Sequence, residues 1–250
     1  MNSIHFASRN TKEMIRDPLT LIFSLGFPLV LLVLLSIINS SLPSEAAESM
    51  TLFRPENLTP GISVFGMSFL SLFSSMLIAK DKTTGFMLRL FTSPMKSRDF
   101  MIGYTVPLLP IGIVQTVICY LAAFFLGLSL NVRVLLAVAV NIPIAVVYIA
   151  LGLLFGTLLN EKAVGGVCGA LLTNLSAWFS DIWFDVSMIG GAFEGFCNCL
   201  PFIHAVKASR AALAGNYADI LPHLMIVTVY AIVVLVIAIF VFSIRTKKLK

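Results

Sequence analysis

Long uncharged stretches alternate with short charged ones along this chain. Six stretches of at least 18 residues contain no Asp, Glu, Lys or Arg: 18–44, 57–79, 100–132, 134–160, 163–180 and 220–244. Crossing the hydrocarbon core of a bilayer takes about 20 largely apolar residues. Backbone groups in lipid are satisfied only in a helix or a closed barrel, and runs such as 233–242 are apolar on every face rather than alternating. The pattern therefore predicts an all-α integral membrane protein with six transmembrane helices.

The lengths of the uncharged stretches place the spans. We predict them at about 19–39, 59–79, 100–128, 134–158, 164–184 and 221–243. The third stretch is longer than one bilayer crossing and contains Pro107 and Pro110, so a broken or bent helix is expected there. Pro28 predicts a kink in the first span.

Residues 4–16, ahead of the first span, have an amphipathic pattern. Their apolar and weakly polar members recur near helical spacing: Ile4, Ala7, Thr11, Met14 and Ile15. Arg9 and Lys12 fall elsewhere on the helical wheel. This pattern is typical of a helix lying in the membrane interface, so we predict an N-terminal interfacial helix.

A second short segment, residues 188–206, precedes the last span. It ends in the uncharged stretch 195–206, which is too short to cross a bilayer and has Pro201 in its middle. We predict a re-entrant hairpin that dips into the outer leaflet.

Composition and charge agree with a membrane protein and orient it. Hydrophobic residues make up 58% of the chain and charged residues 12%, against about 25% charged residues in soluble domains. With a cytoplasmic N-terminus, 13 of the 17 Lys and Arg residues fall in the inner segments. This asymmetry predicts a multi-pass protein of the cell membrane with both termini cytoplasmic. The net charge of +5 is therefore a topology signal, and no nucleic-acid partner is expected.

Motifs for enzyme chemistry are absent from the sequence. It contains no GxxxxGK[ST], HExxH or GxSxG pattern. Asp181 and Asp185 are interpreted as solvated interfacial carboxylates rather than a catalytic pair. We therefore predict no catalytic residue, no metal site and no cofactor in this chain. A disulfide between two copies, through Cys197 or Cys199, is left open.

The basic segment 80–99 (KDKTTGFMLRLFTSPMKSRD) has an apolar centre. Read as a helix, it brings two apolar pairs into i,i+4 register: Phe86 with Leu90, and Met87 with Phe91. Pro94 ends that helix. One interpretation is an interfacial helix that buries these residues in lipid. The other is a helix that docks in a groove of a cytoplasmic partner protein.

Three groups of residues carry a resemblance to a known family. They are Arg16-Asp17-Pro18 before a proline-containing span; Gly85, Arg89-Leu90, Ser93-Pro94 and Gly103 in and after the basic segment; and Leu200-Pro201, Ala205-Val206, Arg210 and Gly215 before the last span. In this order the chain resembles the permease subunits of ABC-type exporters of the ABC-2 type family. Many relatives carry Glu around the glycine of the basic loop, where this chain has Lys80-Asp81-Lys82 and Phe86-Met87-Leu88.

The resemblance implies a half-transporter. Two permease subunits, identical or related, would pair with two separate ATPase subunits that bind ATP and Mg. The segment 81–95 would be the cytoplasmic coupling helix. The residues that contact the ATPase would be Gly85, Phe86, Met87, Arg89, Leu90, Phe91 and Pro94. Docking would be mainly apolar, and the charges of Asp81 and Arg89 would set its orientation.

The resemblance also implies a substrate pathway between the two permease subunits. The first and fifth spans would line this seam with Phe27, Ser36, Asn39, Gly165, Gly169, Asn174, Trp178 and Phe179. Pro201 and His204 would belong to an outer gate. Because the seam residues are mostly apolar with a few hydrogen-bonding groups, an amphiphilic substrate is expected: a drug, a lipid or a peptide.

Two other classes of function stay open on the sequence. A passive or ion-coupled carrier or channel is expected to have ionisable residues deep in its spans, and the six uncharged stretches contain none. A membrane protein that binds a peptide as an immunity factor, without transporting it, is the other alternative.

Overall fold

Helices make up most of the described chain. The computed structural model describes residues 3–43, 50–87, 97–129 and 131–247. In chain order its helices are α1 Ser3–Ile15, α2 Pro18–Leu21, α3 Phe27–Ser40, α4 Pro55–Thr83, α5 Ser97–Thr105, α6 Leu108–Phe125, α7 Val132–Leu158, α8 Glu161–Val164, α9 Thr173–Trp178, α10 Val186–Ile189, α11 Gly191–Asn198, α12 Pro201–Ala214 and α13 Tyr217–Lys247. Two π-helical segments, Ile22–Gly26 and Gly165–Leu172, join α2 to α3 and α8 to α9. No strand occurs within these residues, which confirms the all-α prediction.

Five helical stretches are long and apolar enough to cross a membrane. They are Pro18–Ser40, Pro55–Thr83, Ser97–Phe125, Val132–Leu158 and Tyr217–Arg245. They overlap the predicted first, second, third, fourth and sixth spans. The predicted fifth span, 164–184, corresponds to a helical stretch over 161–178 that is not among the five. This span, and with it the count of six, stays a prediction.

Prolines interrupt two of the spans as predicted. The third predicted span is broken, because α5 ends at Thr105 and α6 begins after Pro107. In the first span, the π-helical segment Ile22–Gly26 comes just before Pro28. Proline has no N–H for the carbonyl four residues earlier, and its ring crowds that carbonyl. The helix therefore widens into a π-helical turn there, and the predicted kink itself stays a prediction.

The α4 helix forms the centre of the helical assembly. In its span, 89% of the residues are buried, against 17% in the first and the last spans. The α7 helix approaches α4 closely because Gly152 lies against it, where a Cβ would overlap the Ser74 hydroxyl and the Ser71 carbonyl. The Ser74 hydroxyl also donates to the Ile149 carbonyl of α7 at 3.2 Å. Small residues that let helices touch are typical of packing in lipid.

The region before the last span differs from the sequence prediction at Asp181. The helical stretch ends at Trp178, short of the predicted residue 184, and Asp181 has a positive φ of 66° in the turn that follows. Asp181 was predicted to be a solvated carboxylate, and that was wrong. Its side chain is 14% exposed and forms an ion pair with Arg210 at 2.7 Å. A carboxylate that is largely removed from water needs such a partner to offset lost hydration.

The predicted re-entrant segment, 188–206, corresponds to helical structure with a break. The α11 helix ends at Asn198 and α12 begins at Pro201, so the break falls at Cys199 and Leu200. The first residues of α12 are buried against the rest of the chain. Entry of this segment into the outer leaflet stays a prediction.

Candidate coupling site

The N-terminal helix α1 buries a face that overlaps only partly with the predicted pattern, sharing Ala7 and Met14 with it. Its buried residues are Phe6, Ala7, Asn10 and Met14. By contrast, Ile4 is 76% exposed and Ile15 is 60% exposed. The helix itself is where the prediction placed it, at 4–16. The exposed Ile4 and Ile15 leave an apolar strip free for lipid, as in an interfacial helix.

Phe6 explains this choice of face. Its ring is fully buried against Gly103 of α5, where a Cβ would overlap it. The ring makes edge contacts with Tyr104 at 4.9 Å and Phe100 at 5.9 Å, measured between ring centroids. It also stacks on Phe86 at 6.4 Å. Because Gly103 has no side chain, it leaves a slot on α5, and the Phe6 ring fills this slot.

Asp81 lies at the centre of a polar network beside this aromatic cluster. Arg9 Nη1 and the Tyr104 hydroxyl both donate to Asp81 Oδ2 at 2.8 Å. The residue is 1% exposed and belongs to the last turn of α4. The expectation that Asp81 helps orient a docked partner is therefore wrong. A carboxylate buried to this degree requires charged or hydrogen-bonding partners within the protein, and it has them.

Arg9 connects Asp81 to the edge of the protein. Its Nη2 forms an ion pair with Glu13 at 2.9 Å, and Glu13 in turn pairs with Lys80 at 2.6 Å. Burial lowers the pKa of Arg9, but the hydrogen bond to Asp81 and the charges of Asp81 and Glu13 outweigh it, so the pKa is raised. The Arg9 guanidinium also lies 4.2 Å from the centroid of the Phe86 ring, a cation–π contact. We call Arg9, Glu13, Lys80, Asp81 and Tyr104 the inner clasp.

The two residues after Asp81 join α4 to its other neighbours. Lys82 Nζ donates to the carbonyls of Thr157 and Leu159, at 3.2 and 2.6 Å, at the C-terminal end of α7. A cation at this end is favourable for a helix dipole. The Thr83 hydroxyl donates to Glu161 at 3.3 Å. Residues 80–83 thus complete α4 and join it to four other helices, α1, α5, α7 and α8, rather than forming the start of the predicted coupling segment.

Because α4 extends to Thr83, only the part of the predicted coupling segment 81–95 from Gly85 onward lies beyond this helix. Gly85 has a φ of +66°, the left-handed conformation common just after a helix C-terminus. Phe86 and Met87 follow in helical conformation, and Met87 is 4% exposed. Of the seven predicted coupling residues, these three are described. Phe86 contacts Phe6 of α1, Met87 is buried, and Gly85 lies in the turn after α4. The other four lie outside the described residues: Arg89, Leu90, Phe91 and Pro94.

The predicted seam residues divide into two groups. Those on the exposed side of residues 161–178 are Gly165, Asn174 and Trp178. The rest are partly buried: Phe27, Ser36, Asn39, Gly169 and Phe179. Phe27 packs on Phe69 and Phe179 on Phe196, with centroids 5.5 and 5.3 Å apart. The structure therefore leaves only part of the predicted seam free for a second subunit.

The predicted outer gate contains a histidine pair. His204 Nδ1 lies 2.9 Å from His223 Nδ1 of α13, and His204 Nε2 lies 2.9 Å from the Asn198 carbonyl. Pro201 begins α12 and is buried. The pair connects α12 to the last span. Across the described ranges, no three His, Cys, Asp or Glu side chains are grouped as a metal site.

Three buried residues in or beside the inner clasp were not predicted from the sequence: Phe6, Asn10 and Tyr104. Phe6, Asn10 and Met14 recur at intervals of four, so the buried stripe was present as a pattern. Asn10 is fully buried and donates to the Gly103 carbonyl at 3.0 Å. The stripe was not recognised because Asn10 is polar. An Asn in such a pattern indicates a solvent-exposed position unless its buried hydrogen-bond partner is known.

Comparison with known families gives a match over most of the chain. The model of the family described as ABC-2 type transporter matches residues 4–214. This range begins at the second residue of α1 and ends at the last residue of α12. It therefore includes the inner clasp, the predicted coupling segment and the Asp181–Arg210 ion pair. No curated protein matches the chain.

Proposed function

Because the chain belongs to the ABC-2 type transporter family, and is thus a membrane component of an ABC transporter, we propose that it is the permease subunit of an exporter driven by a separate ATPase chain. The observation that carries this proposal is the position of Phe86. This residue opens the apolar segment predicted to contact the ATPase, and it is held by Phe6 and Arg9 of α1. A movement of the segment is thereby linked to α1 and α4.

The coupling step follows from these contacts. The ATPase partner, with ATP and Mg bound, would close and displace the segment that begins at Gly85. Phe86 would transmit the displacement to Phe6, and Arg9 would transmit it to Asp81 at the end of α4. The partner shifts the permease between two arrangements only if its nucleotide-bound form contacts them unequally. The apolar residues of this segment, together with the Arg9–Asp81 ion pair beside Phe86, would provide such an unequal contact.

The exposed side of residues 161–178 supports pairing with a second permease subunit. In the described chain, no atom beyond the local helix backbone lies within 4 Å of the positions that a Cβ on Gly165 or Gly166 would occupy. Leu171 is 56% exposed and Trp178 is 54% exposed on this stretch. Small residues beside exposed apolar ones allow close helix contact in lipid. With Asn174 among them, the surface suits an amphiphilic substrate, such as a drug, a lipid or a peptide.

The test uses the complex of this chain with the ATPase that co-purifies from the native host, reconstituted in lipid. We expect Leu90→Asp to lower substrate-stimulated ATP hydrolysis about tenfold or more, since an apolar interface anchor contributes about 2 kcal/mol. The matched control is Val132→Asp, which places the same charge at a residue that is 81% exposed at the start of α7. This control is expected to retain stimulated hydrolysis.

Two results would overturn the proposal. One is full stimulated hydrolysis and transport by the Leu90→Asp complex. The other is the absence of any co-purifying ATPase, together with substrate flux driven by an ion gradient across vesicles. That second result would favour the carrier or channel alternative.

A further inference from the structure

A cavity of about 990 Å³ lies beside α1. It is enclosed by α1, the start of α2, the inner half of α4 and Glu161. Its apolar wall is formed by Phe73, Met76 and Leu77 of α4. The cavity thus lies at the end of the bundle where the inner clasp is found, the end that the Lys and Arg distribution assigns to the cytoplasm.

The polar side of the cavity carries two cations without partners. Lys12 of α1 and Arg16, the residue just after α1, both line it, four residues apart. Within the described part of the chain, neither side chain has an ion pair or hydrogen bond, and both are exposed. The other two basic residues of the lining, Arg9 and Lys80, are ion-paired in the inner clasp.

The acidic residues of the lining are already occupied. Glu13 is paired with Arg9 and Lys80. Asp17 accepts from the Leu19 backbone N–H and the Thr20 hydroxyl, at 3.2 and 2.7 Å, as the cap of α2. Glu161 accepts from Thr83 at 3.3 Å. The charged groups left to recognise a ligand are therefore the two cations, which favour an anion; the neutral polar residues His5 and Ser8 also line the cavity.

An apolar surface continues from the cavity. Leu19 is 59% exposed and Met76 is 38% exposed, and both belong to the lining. Ile22, one turn beyond Leu19, is 58% exposed. A ligand that satisfies both halves of the site has an anionic head and a hydrocarbon tail. Basic side chains at the cytoplasmic surface of a membrane attract anionic phospholipids in this way.

We propose that this cavity binds an anionic phospholipid of the inner leaflet, with Lys12 and Arg16 contacting its phosphate and one acyl chain lying on Leu19 and Met76. The site belongs to this chain alone, so it does not depend on the proposed function. Bound there, the lipid stabilises the position of α1 against α2 and α4. Because α1 also carries Arg9, occupancy of the cavity is expected to tighten the inner clasp.

The test measures lipid adducts of the purified full chain by native mass spectrometry in detergent. Phosphatidylglycerol and phosphatidylcholine with identical acyl chains are compared, and inorganic phosphate is the soluble competitor. We expect one saturable phosphatidylglycerol per chain, in preference to phosphatidylcholine. Lys12→Gln with Arg16→Gln should weaken binding about 30-fold, since each basic residue near an anionic lipid contributes about fivefold. Lys12→Arg with Arg16→Lys should retain it.

The matched control is Arg98→Gln with Arg245→Gln, which removes the same charge from exposed residues outside the cavity lining. This pair should leave the phosphatidylglycerol adduct intact. Equal losses in the two double variants would overturn the proposal in favour of unspecific charge attraction. Displacement of the lipid by millimolar inorganic phosphate would show that a free anion is the ligand.

A second variant, Met76→Asp, keeps both cations and should also lose the adduct. Its retention would contradict the acyl-chain site.

Discussion

The inner clasp and the Asp181–Arg210 pair are both charged networks at the end of a helix, but they differ in exposure. Arg210 directs three donors inward: Nη1 to the Asp181 carboxylate at 2.7 Å, Nη2 to the Asp181 backbone carbonyl at 2.8 Å, and Nε to the Asn57 carbonyl at 3.2 Å. The two charged side chains are 13% and 14% exposed. In the inner clasp, the cations Arg9 and Lys80 are 36% and 56% exposed, although the Asp81 carboxylate is only 2% exposed.

This difference shows which end of the protein rearranges at low cost. Exposed ion pairs contribute about 0–1 kcal/mol each, so partners such as Lys80 and Glu13 exchange with water easily. Breaking a buried pair costs about 3–5 kcal/mol, because it leaves an uncompensated charge. The Asp181–Arg210 pair is therefore expected to stay fixed through a transport cycle. The Lys80–Glu13 and Arg9–Glu13 pairs at the exposed edge of the inner clasp are expected to change their contacts.

The largest effect is expected at Arg210. Arg210→Leu leaves the Asp181 carboxylate buried without its cation, so the free energy of unfolding should fall by about 3–5 kcal/mol. The measurement is the melting temperature of the purified protein in detergent. The double variant with Asp181→Asn should recover part of the loss, since Asn carries no charge and tolerates a positive φ. A wild-type melting temperature for Arg210→Leu would contradict the comparison.

The next effect is expected at Asp81. Asp81→Asn removes the charge but keeps an acceptor for Tyr104, and the half-exposed Arg9 is free to turn to water. The loss of stability should therefore be smaller, about 1–3 kcal/mol. Substrate-stimulated ATP hydrolysis by the complex should fall more than the melting temperature suggests, because the link from α1 to α4 is lost.

The control for Asp81 lies within the same network. Glu13→Gln affects only exposed ion pairs and should change stability by about 0–1 kcal/mol, with hydrolysis largely retained. If Asp81→Asn lowers stability as much as Arg210→Leu does and leaves coupling intact, the distinction between a fixed outer pair and an adjustable inner clasp fails.

The spans could be predicted because bilayer thickness imposes a length on them. Five of six predictions overlap long apolar helices in the structure. The stretch 161–178 differs because it begins with Glu161 and Lys162 and contains Asn174, which lower its mean hydropathy. Its π-helical segment, Gly165–Leu172, has no signature that sequence periodicity detects.

The site could not be predicted in the same way, because its pairs are distant in the sequence. Arg9 and Asp81 are 72 residues apart, and Asp181 and Arg210 are 29 apart. Helical periodicity shows that α1 has a buried face, but the slot at Gly103 decides that this face contains Phe6. Such choices depend on a neighbouring surface, which the pattern of a single helix does not contain.

The smallest effect is expected at Asp185, four residues after Asp181 but at the surface. Its side chain accepts from the hydroxyl and the backbone N–H of Ser187, at 2.6 and 2.8 Å, and these hydrogen bonds lower its pKa. The charged form therefore stabilises the start of α10 above the ordinary carboxyl pKa of about 4. That contribution is lost as the pH falls through the lowered pKa.

Asp185→Asn keeps a cap of similar strength, so it should match the wild type at neutral pH and lose less stability in acid. Melting temperatures measured from about pH 3 to about pH 7 check this prediction. In the unfolded chain, Asp185 has its ordinary carboxyl pKa. An identical acid profile for the two proteins would mean that the exposed carboxylate, unlike buried Asp181, contributes nothing to this region.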